Sequence, residues 1–172
     1  MVVILLYLFL VVLYILVFIF IWYTLYAMIK GAPFLPTSSQ HVREMIDMAN
    51  PQKGEYLIDL GSGDGRILFQ AARTGCSSLG VEMNPLLYWW SSIRRKISNV
   101  HNVEIRRQDL WKTDVSRADI VSLFFIAPKM DRLRMKLQKE MKSGSRVVSY
   151  GFKFPNWQPE LKHGSIYLYK IH

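Results

Sequence analysis

Residues 1–29 contain no Asp, Glu, Lys, Arg or His. They are almost wholly Val, Ile, Leu, Phe, Tyr and Trp, and Thr24 is the one polar residue there that is not aromatic. A helix needs about 20 apolar residues to cross the hydrocarbon core of a bilayer, and this run exceeds that. In lipid the backbone must bond to itself, so the β-branched content does not count against a helix. Trp22, Tyr23 and Tyr26 cluster near its end, where interfacial aromatics belong. A cleaved signal peptide is the alternative. It fits poorly, because the apolar stretch is too long, no basic region opens it and no small-x-small site follows. Residues 1–29 therefore read as a retained single-pass anchor in contact with membrane lipid. Lys30, Arg43 and Lys53 follow the span, so the positive-inside rule puts the rest of the chain on the cytoplasmic side. No Arg- and Ser-rich transit segment precedes the span, which favours a prokaryotic cell membrane over the mitochondrial inner membrane.

All 22 basic and 13 acidic side chains fall in residues 30–172, which carry the whole net charge of +9. That part is rich in aromatics and alternates apolar with polar residues, which excludes disorder. Cys76 is the one cysteine, so no disulfide framework exists. The four histidines have no ligand spacing, and no metal site is expected.

Residues 30–37 hold Pro33 and Pro36 and read as a stiff connector. Residues 38–172 read as one domain. Thr37 with Gln40 has capping-box spacing, and Val42, Met45, Ile46 and Ala49 repeat as one helix face. Alternating units follow. Strands are predicted over 56–60, 78–82, 103–107, 120–126, 146–150 and 165–171. Helices are predicted over 66–74, 85–97 and 130–141, with Asn84-Pro85 opening the second. Strand-helix alternation predicts an α/β, doubly wound, Rossmann-like sheet of about six strands. Between Gly151 and the last strand the chain is too short, and too rich in proline, for a helix.

Asp59-Leu-Gly-Ser-Gly-Asp-Gly65 joins the first strand to the next helix. Glycines there let backbone approach a ligand, and the helix start offers free N–H groups. In an open α/β sheet, ligands bind at the carboxyl ends of strands. Glu82 ends the second strand, where a carboxylate can accept both hydroxyls of a ribose. A dinucleotide site shares that acid, but its third glycine would fall where Arg66 stands. No Gly-Lys-Ser/Thr follows, which excludes a Walker loop.

The Asp59–Gly65 loop with Glu82 resembles the cofactor motif of class I S-adenosylmethionine-dependent methyltransferases. The resemblance extends through Gly31–Thr37, Asp59–Ile67, Gly80–Pro85, Asp109–Trp111 and Phe154–Trp157 to the small membrane-anchored protein-lysine methyltransferases. Mitochondrial members of that family modify the ATP synthase c-subunit and the adenine nucleotide translocase. The resemblance implies S-adenosylmethionine as cofactor and a membrane protein as substrate. It implies that Asp59, Gly61, Ser62, Gly63, Asp64 and Gly65 hold the methionine part. Glu82 would hold the ribose and Asp109 would lie beside the adenine. Asn84 and Leu110 would line the pocket, and Pro36 and Thr37 would cover it. Pro128 would sit near the transferred methyl, after a fourth strand that ends in Phe-Ile-Ala-Pro-Lys rather than Asn/Asp-Pro-Pro-Tyr/Phe. Phe34, Tyr150, Phe152, Phe154 and Trp157 are candidates for an aromatic mouth, with core packing as the competing role for each. No general base is visible. A lipid methyltransferase and a cofactor-binding protein without chemistry remain alternatives. Nucleic acid is the weaker reading of the basic clusters Arg94–Lys96 and Arg106–Arg107.

Overall fold

The computed structural model describes residues 2–30, 36–125 and 127–172. Helix α1 (Val2–Lys30) is about 44 Å long at ~1.5 Å per residue, long and apolar enough to cross a bilayer. Its apolar side chains stay exposed along most of its length. The predicted connector lies largely in residues 31–35, outside the described residues, and so does Phe34.

Helix α2 (Ser39–Ala49) begins one residue later than a Thr37 cap implies. Ser38 is the cap, its hydroxyl accepting the His41 N–H at 3.2 Å. Thr37 is instead buried and turned to the cavity described below, while Gln40 bonds Glu44. Asn50 ends the helix in the left-handed conformation.

Among the described residues, seven strands form one mixed sheet in the order β3-β2-β1-β4-β5-β7-β6. They are β1 (Tyr56–Leu60), β2 (Ser77–Glu82), β3 (Val103–Arg107), β4 (Ile120–Phe124), β5 (Arg146–Tyr150), β6 (Leu161–His163) and β7 (Ile166–Lys170). The first five run parallel, and β7 pairs antiparallel with β5. The expected count of about six becomes seven because β6 folds back on β7. Its three residues are all exposed, so they leave no apolar alternation to read. Residues 151–160 form no helix, as their length and prolines require. The sheet's two outer strands differ. β6 is very short, and β3 carries Glu104 and Arg106, paired at 2.6 Å.

Helices α3 (Arg66–Ala72), α4 (Pro85–Ile97) and α5 (Met130–Glu140) complete the domain. Side chains alternate across a strand, so neighbours in β1 serve opposite layers. Leu57 packs with Val42, Met45 and Leu68 from α2 and α3. Ile58 packs with Leu133 and Leu137 from α5. Both layers close at the carboxyl ends of β1, β2 and β4, where the site lies.

Candidate active site

The chain leaves β1 at Asp59-Leu60 and turns at Gly61, whose φ of +94° suits glycine alone. The Gly61 and Ser62 N–H groups both donate to the Val81 carbonyl at 3.0 Å, which lays the loop over the end of β2. Gly63 (φ +54°) then aims its N–H at Glu82 Oε2, 2.9 Å away. Glu82 Oε1 accepts from the Asn84 N–H at 2.7 Å, and Asn84 in turn caps α4 through the Leu86 N–H. One buried carboxylate therefore ties the first loop to the second. Gly80 makes the close fit possible. A Cβ there would stand 2.7 Å from Ser62 Cβ and inside contact distance of Leu68.

Asp59 points to the same face as Leu57 and pairs in register with Ser122, whose hydroxyl donates to Oδ1 at 2.8 Å. Burial pushes the Asp59 carboxyl up to about 7, and the nearby Glu82 and Asp64 charges add to this. Burial also raises Glu82, against the opposing pull of three backbone N–H groups. Asp64 differs. Burial would raise it, but Arg66 grips both its oxygens at 2.8 Å and holds it below the usual range. Arg66 also donates to the Thr37 carbonyl, fastening the segment before α2 to the glycine loop.

These elements enclose one cavity. Asp59, Gly61, Ser62, Gly63, Asp64, Glu82, Asn84, Leu110, Pro36 and Thr37 line it. So do Thr24, Arg66, Gln108, Phe124 and Phe125. Three buried polar atoms on this wall have no hydrogen-bond partner among the described residues: Thr24 Oγ1, Ser62 Oγ and Asn84 Nδ2. Beyond Phe124, its ring lies 5.6 Å from Tyr150, whose hydroxyl meets His41 Nδ1 at 3.1 Å.

Residues 59–161 match the ANTKMT methyltransferase domain family. The chain is 37% identical over 129 residues to the Rattus norvegicus lysine N-methyltransferase of the ATP synthase c-subunit. That match covers 74% of this chain and 59% of the rat protein, so the chain spans little more than half the length of that relative. It is 31% identical over 160 residues to a protein-lysine N-methyltransferase of Saccharolobus islandicus (strain REY15A), covering 83% of this chain and 96% of that one. The chain belongs to this family. Among solved structures, an RNA methyltransferase of Salinibacter ruber in complex with S-adenosyl-L-homocysteine superposes with a TM-score of 0.73 at 33% identity. That superposition covers 80% of this chain and 92% of the other.

The cofactor of this ANTKMT-family chain is S-adenosylmethionine, and the cavity's donor set fits it. Two buried carboxylates, Asp59 and Glu82, suit a cationic ligand that carries a ribose diol. The unpartnered Ser62 hydroxyl and Asn84 amide offer further bonds. Among the described residues no cluster of His, Cys, Asp or Glu could hold a metal ion.

Two cofactor candidates stand off the cavity wall. Gly65 opens α3, where a Cβ would come within 2.9 Å of Phe69, so the position packs closely against that ring. Asp109 accepts the Trp111 N–H on Oδ1 at 3.0 Å and lines a neighbouring groove with Trp22, Tyr23 and Tyr26. The methyl-transfer candidates divide as well. Pro128 is exposed in the short turn after β4, just past Phe125. Phe154 is buried, with the Trp157 ring tilted against it at 5.2 Å and the Tyr169 ring edge-on at 5.0 Å. The Tyr169 hydroxyl accepts the Phe154 N–H, so core packing claims this pair rather than the mouth. Sequence reasoning passed over Arg66, Gln108 and Phe124. It also passed over Thr24, although a lone hydroxyl in an apolar run is a visible signal.

Proposed function

We propose that this chain is a membrane-anchored S-adenosylmethionine-dependent protein-lysine N-methyltransferase that modifies a membrane protein. One observation carries the reading. Thr24 on the apolar helix and Phe124 at the end of β4 line the same cavity, so the candidate anchor and the candidate chemistry meet. The lysine methyltransferases among its relatives support the acceptor.

The cofactor supplies an electrophilic methyl group on a sulfonium. Asp59 and Glu82 would hold and orient its charged and hydroxylated parts. The acceptor lysine must arrive unprotonated, although its ordinary pKa is about 10.4. Phe124 and Phe125 present an apolar wall that disfavours the ammonium form and lowers that value. A neutral amine at that wall would take the methyl group as its bond to the sulfonium breaks, the cofactor would leave as the neutral thioether, and the methylated amine would shed its extra proton to water.

The path from Lys30 to Pro36 can span at most about 20 Å. With α1 in a bilayer, the cavity mouth at Pro36 and Thr37 lies close to the head groups. Lysines at that level on a neighbouring membrane protein are the acceptors within reach, at an effective concentration raised by confinement. The positive residues after α1 support a cytoplasmic face for the domain, and a prokaryotic cell membrane is the location we favour.

The test is to give the detergent-held protein methyl-labelled S-adenosylmethionine and membranes from its own source, then separate protein, lipid and RNA. Label recovered as methyl-lysine in one or a few membrane proteins is the expected result. Label confined to lipid would move the acceptor to that class. Label confined to RNA would align this chain with its Salinibacter ruber relative instead. Cofactor binding without any transfer would leave a binding protein.

A further inference from the structure

Helix α4 is built inside out. Its buried side carries Leu87 and a fully buried Ser91. Its outer side carries Trp89 (58% exposed), Trp90 (60%), Ile93 (53%) and Ile97 (81%). At about 100° per residue these four lie within roughly a third of the helix circumference, with half-buried Leu86 among them. Lys96, exposed, borders this stripe on one side. Arg94 borders it on the other, drawn toward Asp64 at 3.4 Å and stacked on Phe69. A domain surrounded by water gains nothing from two tryptophans and two isoleucines displayed together, and a patch of this kind marks an interaction surface.

The position of α4 says which surface. Met83, two residues before the helix, lines a groove with Trp22, Tyr23 and Tyr26 of α1. Arg107, in the neighbouring strand, donates to the Tyr23 hydroxyl at 3.2 Å and sits 5.8 Å above its ring. Those α1 aromatics stand where a span meets the head groups, so α4 begins at that same level. Tryptophan beside lysine and arginine is the composition of a helix lying in an anionic interface.

We propose that the outer face of α4 rests in the anionic head-group layer of the membrane that α1 crosses. This rests on the reading of α1 as an anchor. The domain then touches lipid at two places rather than swinging from one. The second contact fixes its tilt, and with it the direction in which the cavity mouth faces.

The test uses the full chain with single labelled cysteines, since buried Cys76 takes no label and the unsubstituted chain serves as blank. Ile93→Cys reports on α4, Leu10→Cys on the middle of α1, and Ser116→Cys on the exposed loop before β4. Each is labelled with an environment-sensitive fluorophore and placed in vesicles of phosphatidylcholine and phosphatidylglycerol. Doxyl-labelled phospholipid is the quencher. The proposal expects Ile93→Cys and Leu10→Cys to dim about twofold or more while Ser116→Cys stays bright. It also expects the Ile93→Cys signal to recover in phosphatidylcholine alone. Quenching at Leu10→Cys with Ile93→Cys as bright as Ser116→Cys overturns the α4 contact and leaves the anchor standing. No quenching at Leu10→Cys brings down both. A blue-shifted Ile93→Cys that lipid does not quench, and that reverts when the protein is diluted in the vesicles, overturns the proposal in favour of a second copy.

Discussion

Asp59→Asn separates what the pocket needs for stability from what it needs for its ligand. The Asp59 carboxyl rises from the ordinary 3.8 to about 7, mainly because burial disfavours its charge. Below 3.8 both folded and unfolded chains hold the proton, and the group is neutral toward folding. As pH rises the unfolded chain releases it first, so stability falls until the folded group has ionised too, above about 7. At ~1.36 kcal/mol per pH unit, that interval costs the ionised empty pocket about 4 kcal/mol. Asparagine keeps the shape and the contact with Ser122 but never ionises. Its stability advantage over aspartate should therefore widen by about 3 kcal/mol between about pH 5 and about pH 8.5. For a domain of this size that is roughly 6–12 °C in Tm. Melting curves of both proteins in the same detergent, without cofactor, measure it. Calorimetric titration with S-adenosylmethionine supplies the other half. Losing a charge-assisted contact of ~1.5–3 kcal/mol should weaken binding by about 10- to 100-fold. A stability gap that does not change with pH would refute the electrostatic account of Asp59, and an unchanged affinity would refute its place at the ligand.

Three other substitutions test the wall of the cavity. Glu82→Gln keeps one acceptor oxygen for the two backbone N–H groups of Gly63 and Asn84, and it should raise the cofactor Kd about 100-fold by titration. Gly80→Ala drives a methyl group into Ser62 and Leu68, and denaturant unfolding should show a loss of about 1–3 kcal/mol together with weakened binding. Thr24→Val removes a hydroxyl that has no protein partner, so Tm should hold while the cofactor Kd rises about fivefold.

The parallel core was legible because its signals are local. Asn84-Pro85 opens a helix by its own stereochemistry, and the apolar run from Ile120, interrupted by Ser122 alone, marks a strand covered on both faces. The glycine loop that lines the candidate site was legible for the same reason, since Gly61, Gly63 and Glu82 are dictated by backbone geometry and charge. What escaped depends on distant partners. Nothing near Phe154 tells that Tyr169 will reach it from the last strand. The placement of Thr24 and Arg66 on one wall needs the whole chain folded. β6 is set by pairing with β7 and not by its own exposed residues.

A molecule tethered in a plane meets its neighbours sideways far more often than one free in solution, and an open sheet presents its rims in those collisions. Each rim of this sheet refuses a foreign strand by different means. On one, the Glu104–Arg106 pair and Arg107 crowd the backbone of β3 with charge. On the other, β6 offers three residues, too few to seed a lasting ladder. The fold thus carries its own protection against sheet-to-sheet clumping, which the proposed anchoring in two dimensions would otherwise promote.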